Sequence, residues 1–129
     1  MNPPICPYCD ADAILIDSVI VYGRSFGPIW LCSNWPDCDA YVAVHNGTET
    51  PLGTLANAEL REWRKRAHKA FDPLWQRDGM SRRMAYQWMQ NLLGLPREKA
   101  HIAMLNLEEC QKLCQEADGF WTTRPITAR

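Results

Sequence analysis

At 129 residues the chain is long enough for one compact domain or two small ones with a modest core. It has no run of about 18 apolar residues to cross a membrane as a helix, and its start, Met1-Asn2-Pro3-Pro4, lacks the basic and apolar regions of a secretory signal, so a reducing cytoplasm is the expected location. The net charge of −1 conceals an asymmetry that excludes the first third as a seat for anions: residues 1–53 carry six acids and one base, residues 54–104 ten bases and five acids, and residues 105–129 three bases and four acids.

In chain order, residues 5–45 read as β hairpins closed by cysteine knuckles. Residues 14–22 (ILIDSVIVY) are rich in β-branched and aromatic side chains and predict one nine-residue strand. Residues 23–28 form a turn, residues 29–31 resume extended structure, and residues 40–44 (AYVAV) predict a third strand. Residues 46–53 (NGTETPLG) are turn chemistry, and they divide a cysteine-bearing ribbon, residues 1–50, from a helical domain, residues 51–129.

Past that boundary the apolar period changes from two to about 3.6. Leu60, Trp63, Ala67, Ala70, Phe71 and Leu74 form the inward stripe of a helix capped by Asn57 and stopped by Pro73. Arg61, Arg64, Lys65, His68 and Lys69 lie off that stripe and give the helix a basic face. A second helix starts at the N-cap Ser81, turns Ala85, Trp88, Met89 and Leu92 inward, and stops at Gly94. Asn106 and Glu109 make a capping-box-like pair opening a third helix, with Leu107, Cys110, Leu113, Cys114 and Ala117 as its stripe and Gly119 as its end. The predicted fold class is therefore α+β, a ribbon of β hairpins followed by a three-helix segment.

The chemistry lies in the cysteines. Cys6 and Cys9 are two residues apart, twenty-two residues follow, and Cys32 and Cys38 are five residues apart. A strand-turn-strand of that length returns the chain so that two thiolate pairs meet, and four thiolates satisfy zinc with no open position. The expectation is one structural Zn²⁺ on Cys6, Cys9, Cys32 and Cys38. Structural zinc contributes roughly 10–16 kcal/mol in small peptides, against about 5–15 kcal/mol for the stability of a whole domain, so the ribbon should not survive loss of the ion.

Cys6-Pro7-Tyr8-Cys9 also spells a redox dithiol, but that chemistry needs a buried strand before the first thiol and a helix after it. Only five residues precede Cys6, and strand-like sequence follows Cys9. Cys110 and Cys114 share a helical face near His101. They fit the apolar stripe as small hydrophobes and lack a fourth ligand for a second metal site. His45, six residues past Cys38, reads as a strand-end residue that stands near enough in sequence to replace a ligand.

The segment FGPIWLCSNWPDC at residues 26–38, with CPYCD at residues 6–10, resembles the four-cysteine zinc ribbons at the C-terminus of bacterial type IA DNA topoisomerases. That resemblance implies single-stranded DNA binding with aromatic side chains stacking on bases, which here would be Phe26, Trp30, Trp35 and Tyr41. The ribbon's charge departs from this pattern, because a tetrathiolate zinc centre adds −2 to an already acidic segment and repels phosphates. The whole chain is also similar to a phage and prophage family of zinc-finger-containing proteins, through YGRS at residues 22–25, CDAYV at residues 38–42, PLG at residues 51–53, Ala67-His68, FDPLW at residues 71–75 and SRR at residues 81–83. That likeness implies a bacterial or viral cytoplasmic protein.

Two functions follow as expectations. In the first, a non-catalytic protein binds nucleic acid, holding phosphates with Arg61, Arg64, Lys65, Lys69, Arg82 and Arg83 while the ribbon aromatics contact bases. In the second, the chain is a protein-interaction module for a bacterial partner, because six tryptophans exceed what so small a core needs. No phosphate loop, nucleophile triad or open metal motif is present, so no enzyme activity, small-molecule substrate or membrane partner is expected. A nuclease-like meeting of His68, Asp72 and His101 is the residual catalytic alternative.

Overall fold

The computed structural model describes residues 2–77 and 79–122. It is α+β, with a three-stranded antiparallel sheet followed by helices. The chain divides into two compact units, Met1–Arg61 and Glu62–Arg129.

In the first unit, β1 (Ala13–Asp17), β2 (Pro28–Cys32) and β3 (Tyr41–Ala43) pair in the order β1-β2-β3. The register sets Ala13 opposite Cys32 and Leu15 opposite Trp30, and on the other side Trp30 opposite Val42. The central position of β2 accounts for its composition: four consecutive residues from Ile29 to Cys32 are buried, because both faces of the strand are covered. Its side chains alternate between two small clusters. Trp30 and Cys32 join Cys6, Ala13, Ala40, Val42 and Leu55, while Ile29 and Leu31 join Tyr41.

The nine-residue strand expected over residues 14–22 is shorter than its composition suggests. Strand β1 ends at Asp17, and Val19–Tyr22 (α1) makes a single helical turn. The cause is local polar competition. Asp17 accepts the Val19 N–H at 2.8 Å and the Ser25 hydroxyl at 2.8 Å, and the buried Ser18 hydroxyl accepts the Phe26 N–H at 2.8 Å. Gly23, at φ 77°, then turns the chain back toward β2.

Residues 51–56 belong to the ribbon side of the structure. Val44 bridges to Pro51, Tyr41 and Ala56 exchange both backbone hydrogen bonds, and Leu55 is buried in the cluster around Cys6. The first unit thus extends to Arg61, past the turn-rich segment that marks residue 50 in the sequence.

Along the helical part of the chain the expected caps are present. Helix α2 (Ala58–Phe71) begins where the Asn57 side chain accepts the Leu60 N–H at 3.0 Å. Pro73 does end it, and then occupies the first turn of the short helix α3 (Pro73–Gln76), where its missing N–H is harmless. Helix α4 (Arg82–Leu93) is capped by Ser81 at 3.1 Å from the Met84 nitrogen and closed by Gly94 at φ 63°. Two 3₁₀ turns, Arg97–Lys99 and Ile102–Met104, lead to α5 (Leu107–Thr122). The Asn106 and Glu109 pair is reciprocal, with hydrogen bonds of 2.8 and 2.9 Å. Helix α5 continues past Gly119 to Thr122, since one glycine weakens a helix by only about 1 kcal/mol relative to alanine.

The helical core contains Phe71, Leu74, Met89, Leu105 and Leu113, all fully buried. Phe71 is central to it: its ring meets Tyr86 edge-on at 5.1 Å and lies parallel to Trp88 at 6.4 Å. Truncating Phe71 to alanine should therefore remove about 3–5 kcal/mol of stability. Urea unfolding followed by circular dichroism checks this, and a loss below about 1 kcal/mol would show that the helical core does not rest on this ring.

Candidate metal centre

The four ribbon cysteines converge from two turns. In the first, the Asp10 N–H donates to the Cys6 carbonyl and the Cys6 N–H to the Ala11 carbonyl, with Asp10 in the left-handed region at φ 62°. Asparagine and aspartate accept that conformation more readily than other side-chain-bearing residues. In the second, the Trp35 N–H donates to the Cys32 carbonyl and the Cys38 N–H to the Asn34 carbonyl.

All four sulfurs lie within 4.8 Å of one another. Cys6 and Cys38 are 3.6 Å apart and Cys9 and Cys32 are 3.4 Å apart. A zinc–sulfur bond of about 2.3 Å in a tetrahedron requires sulfur separations of about 3.8 Å, whereas a disulfide requires about 2.05 Å. The donor set therefore fits one zinc ion, and it leaves no open coordination position for catalysis. Among the described residues this is the only group of three or more Cys, His, Asp or Glu side chains placed to hold a metal.

The environment of the four thiols is uneven. Cys6 and Cys32 are buried, Cys38 is half-buried and Cys9 is exposed. The Ala11 N–H, the Asn34 side-chain amide at 3.3 Å and the neighbouring Cys32 thiol favour the Cys9 thiolate and bring its pKa down to about 7. Burial pushes the Cys32 thiol up to about 12 and raises that of Cys38 as well. Asn34 also donates its backbone N–H to the Cys32 sulfur at 3.4 Å. These amide donors orient the ligands in the way outer hydrogen bonds do at metal sites.

The model of a family described as a zinc-finger-containing domain matches residues 2–119. The chain belongs to this family. The zinc-finger-containing domain accordingly spans the ribbon and nearly all of the described helices, and its four cysteines are placed to coordinate one structural Zn²⁺. Searches of curated proteins and of solved structures find no match.

Cys110 and Cys114 stand apart from this centre. Both are buried on the inner stripe of α5, and burial pushes the Cys110 thiol up to about 12 and raises that of Cys114. They pack as hydrophobes. His45 is exposed and outside the cysteine cluster, its backbone N–H donating to the Thr50 carbonyl. His68 hydrogen-bonds Asp72 at 3.2 Å, whereas the His101 ring faces Tyr86 at 5.9 Å, so the three residues considered for catalysis do not form one group.

The residues expected to bind nucleic acid sort into two sets. Four of the ribbon and helix candidates are structural. Arg61 donates to the Asp39 and Ala56 carbonyls at 2.6 and 2.7 Å while its guanidinium lies 4.0 Å over the Tyr41 ring. Arg64, only 9% exposed, holds the Leu105 carbonyl. Trp30 is 8% exposed and donates its indole N–H to the Glu49 carbonyl at 2.7 Å. Tyr41 is 9% exposed and hydrogen-bonds Tyr22. Trp35 is half-buried with its edge toward Tyr41. By contrast Phe26, Lys65, Lys69, Arg82 and Arg83 are exposed.

Sequence periodicity missed a groove of about 630 Å³ on the second unit, lined by Arg82, Arg83, Tyr86, Gln87, Gln90, Arg97 and His101 around the buried Ala100. Its residues come from α4 and from the irregular segment after it. Arg82, Arg83 and His101 stand out in the sequence, but nothing in their spacing brings them together.

Metal binding by these thiols should depend steeply on pH. Cys32 and Cys38 carry protons at neutral pH and must release them to bind zinc, so affinity falls as pH falls. Two released protons lower the zinc association constant about 10⁴-fold between pH 8 and pH 6, and protonation of Cys9 steepens the fall below its pKa. Competition against a chromogenic chelator measures the slope, and a change under tenfold over that range contradicts a four-thiolate site.

Proposed function

We propose that this zinc-finger-containing domain is a non-catalytic nucleic-acid-binding protein of a bacterial or phage-infected cytoplasm, and that its helical unit makes the contacts. The observation that carries the reading is the composition of the α4 groove. Three arginines and a histidine line it, and among the described residues no carboxylate does. No ion pair engages Arg82, Arg83 or Arg97 among the described residues. Guanidinium groups free of protein carboxylates are suited to phosphate oxygens, which they hold in a bidentate way. Lys65 and Lys69, exposed on α2, add to the cationic charge of the same unit.

The ribbon supports this reading as a stable scaffold rather than as a grip. Its acids and its tetrathiolate centre repel phosphate, and two of its four candidate stacking aromatics are buried.

A second reading, a protein-interaction module, is favoured by one feature of the ribbon. Val19, Ile20, Tyr22 and Phe26 are exposed together on α1 and the turn that follows it, with Phe26 64% exposed beside a groove of about 600 Å³. Exposed apolar patches on small proteins commonly mark contact sites. A photo-crosslinking residue in place of Phe26 that captures one stoichiometric bacterial protein would select this reading; capture of none removes it.

Fluorescence anisotropy with a short labelled oligonucleotide tests the first reading. Two arginine–phosphate contacts on a single strand, from Arg83 and Arg97, give a slope of log K against log salt of about −1.4. Arg83→Glu should weaken binding at least about tenfold, as loss of a phosphate contact with reversal of charge does. Binding that is absent at low salt, or that ignores salt, ends the proposal.

A further inference from the structure

Resting on the nucleic-acid reading above, we propose that the α4 groove seats an unpaired nucleotide of a single strand, its base on the Tyr86 side and its phosphates on Arg83 and Arg97.

The groove contains more than charge. Tyr86 is among its lining residues, and the Arg82 guanidinium lies 5.3 Å over the Tyr86 ring and 5.2 Å over Trp75. These two ring contacts hold the Arg82 guanidinium in place beside Tyr86, so it is a fixed planar cation rather than a freely moving charge. The His101 ring, 5.9 Å from Tyr86 and tilted by 50°, adds a third flat group. Unpaired bases stack on aromatic rings and on arginine planes, whereas paired bases are already stacked within their own helix.

Gln87 and Gln90 follow on the same helix and line the same groove. A glutamine amide offers a donor and an acceptor side by side, which matches the edge of a base. A site made only for phosphate has no use for them. Arg83 comes from α4 and Arg97 from the 3₁₀ turn, and neither stacks on a ring or joins an ion pair among the described residues. They are the groups available to a backbone running past the seated base.

Size favours the same occupant. A volume of about 630 Å³ lies in the range of single small-ligand sites, roughly 300–1,000 Å³. One or two nucleotides fit; a duplex does not enter.

Binding of the zinc-loaded full chain to a single-stranded oligonucleotide, a hairpin duplex and a mononucleotide separates the outcomes. The single strand should bind at least tenfold more tightly than the duplex, and the mononucleotide should compete only weakly, because it lacks the flanking phosphates. Gln87→Ala with Gln90→Ala should lower single-strand affinity at least fivefold and leave duplex binding unchanged. Tyr86→Leu should do the same, and since Tyr86 also packs on Phe71, its circular dichroism spectrum is compared with that of the parent; the glutamine pair, at the surface, decides the matter if that variant misfolds. No binding to either nucleic acid at low salt defeats the nucleic-acid reading itself. Equal binding of strand and duplex, or an unchanged strand preference in the glutamine variant, defeats the seated base alone. A mononucleotide that binds as tightly as the strand makes the groove a small-metabolite pocket and also overturns the proposal.

Discussion

The ribbon depends on one set of four sulfurs. Its apolar residues are divided between two small clusters on opposite faces of a three-stranded sheet, and Cys6 and Cys32 are themselves members of one cluster. Neither cluster approaches the core of an ordinary domain, and subdomains of this size generally require a cross-link. Zinc supplies it by joining the two turns that carry the cysteine pairs, at the open ends of the β1–β2 pairing. It also holds together four thiolates that would otherwise repel one another, offsetting half of their charge in one directional centre.

The same shortage of core explains how the ribbon uses its large side chains. Trp30 and Tyr41 are covered because β2 and β3 have little else to bury, and their polar ends are satisfied by the Glu49 carbonyl and by Tyr22. Arg61 closes the arrangement by stacking on Tyr41 and binding two carbonyls. In a large domain such groups could remain at the surface for a partner. Here packing engages them first, and the residues left free for binding lie on the helical unit and around Phe26.

Local features were legible from residue order alone. The N-caps Asn57 and Ser81, the Asn106–Glu109 box and the stop at Gly94 each depend on neighbours within four positions, so the sequence contains everything that decides them. The metal ligands were legible for a related reason, since two close cysteine pairs separated by one strand-turn-strand leave little freedom in how they meet. Less was readable where a local polar group outweighed average composition. Asp17 and Ser18 cut short a stretch of β-branched residues. Helix α5 continues three residues past Gly119.

The amino-acid order by itself determined the α+β class, the starts of α2, α4 and α5, and the four cysteines placed to hold zinc. Tertiary structure alone decided which charges and rings are available to a partner. Exposure is a property of packing between residues distant in the chain: Arg64 is taken up by Leu105, and Arg97 and His101 come to line a groove with α4 only because an irregular segment passes beside that helix. Periodicity can place a side chain on a face of its own helix, but it carries no information about what another segment lays over that face.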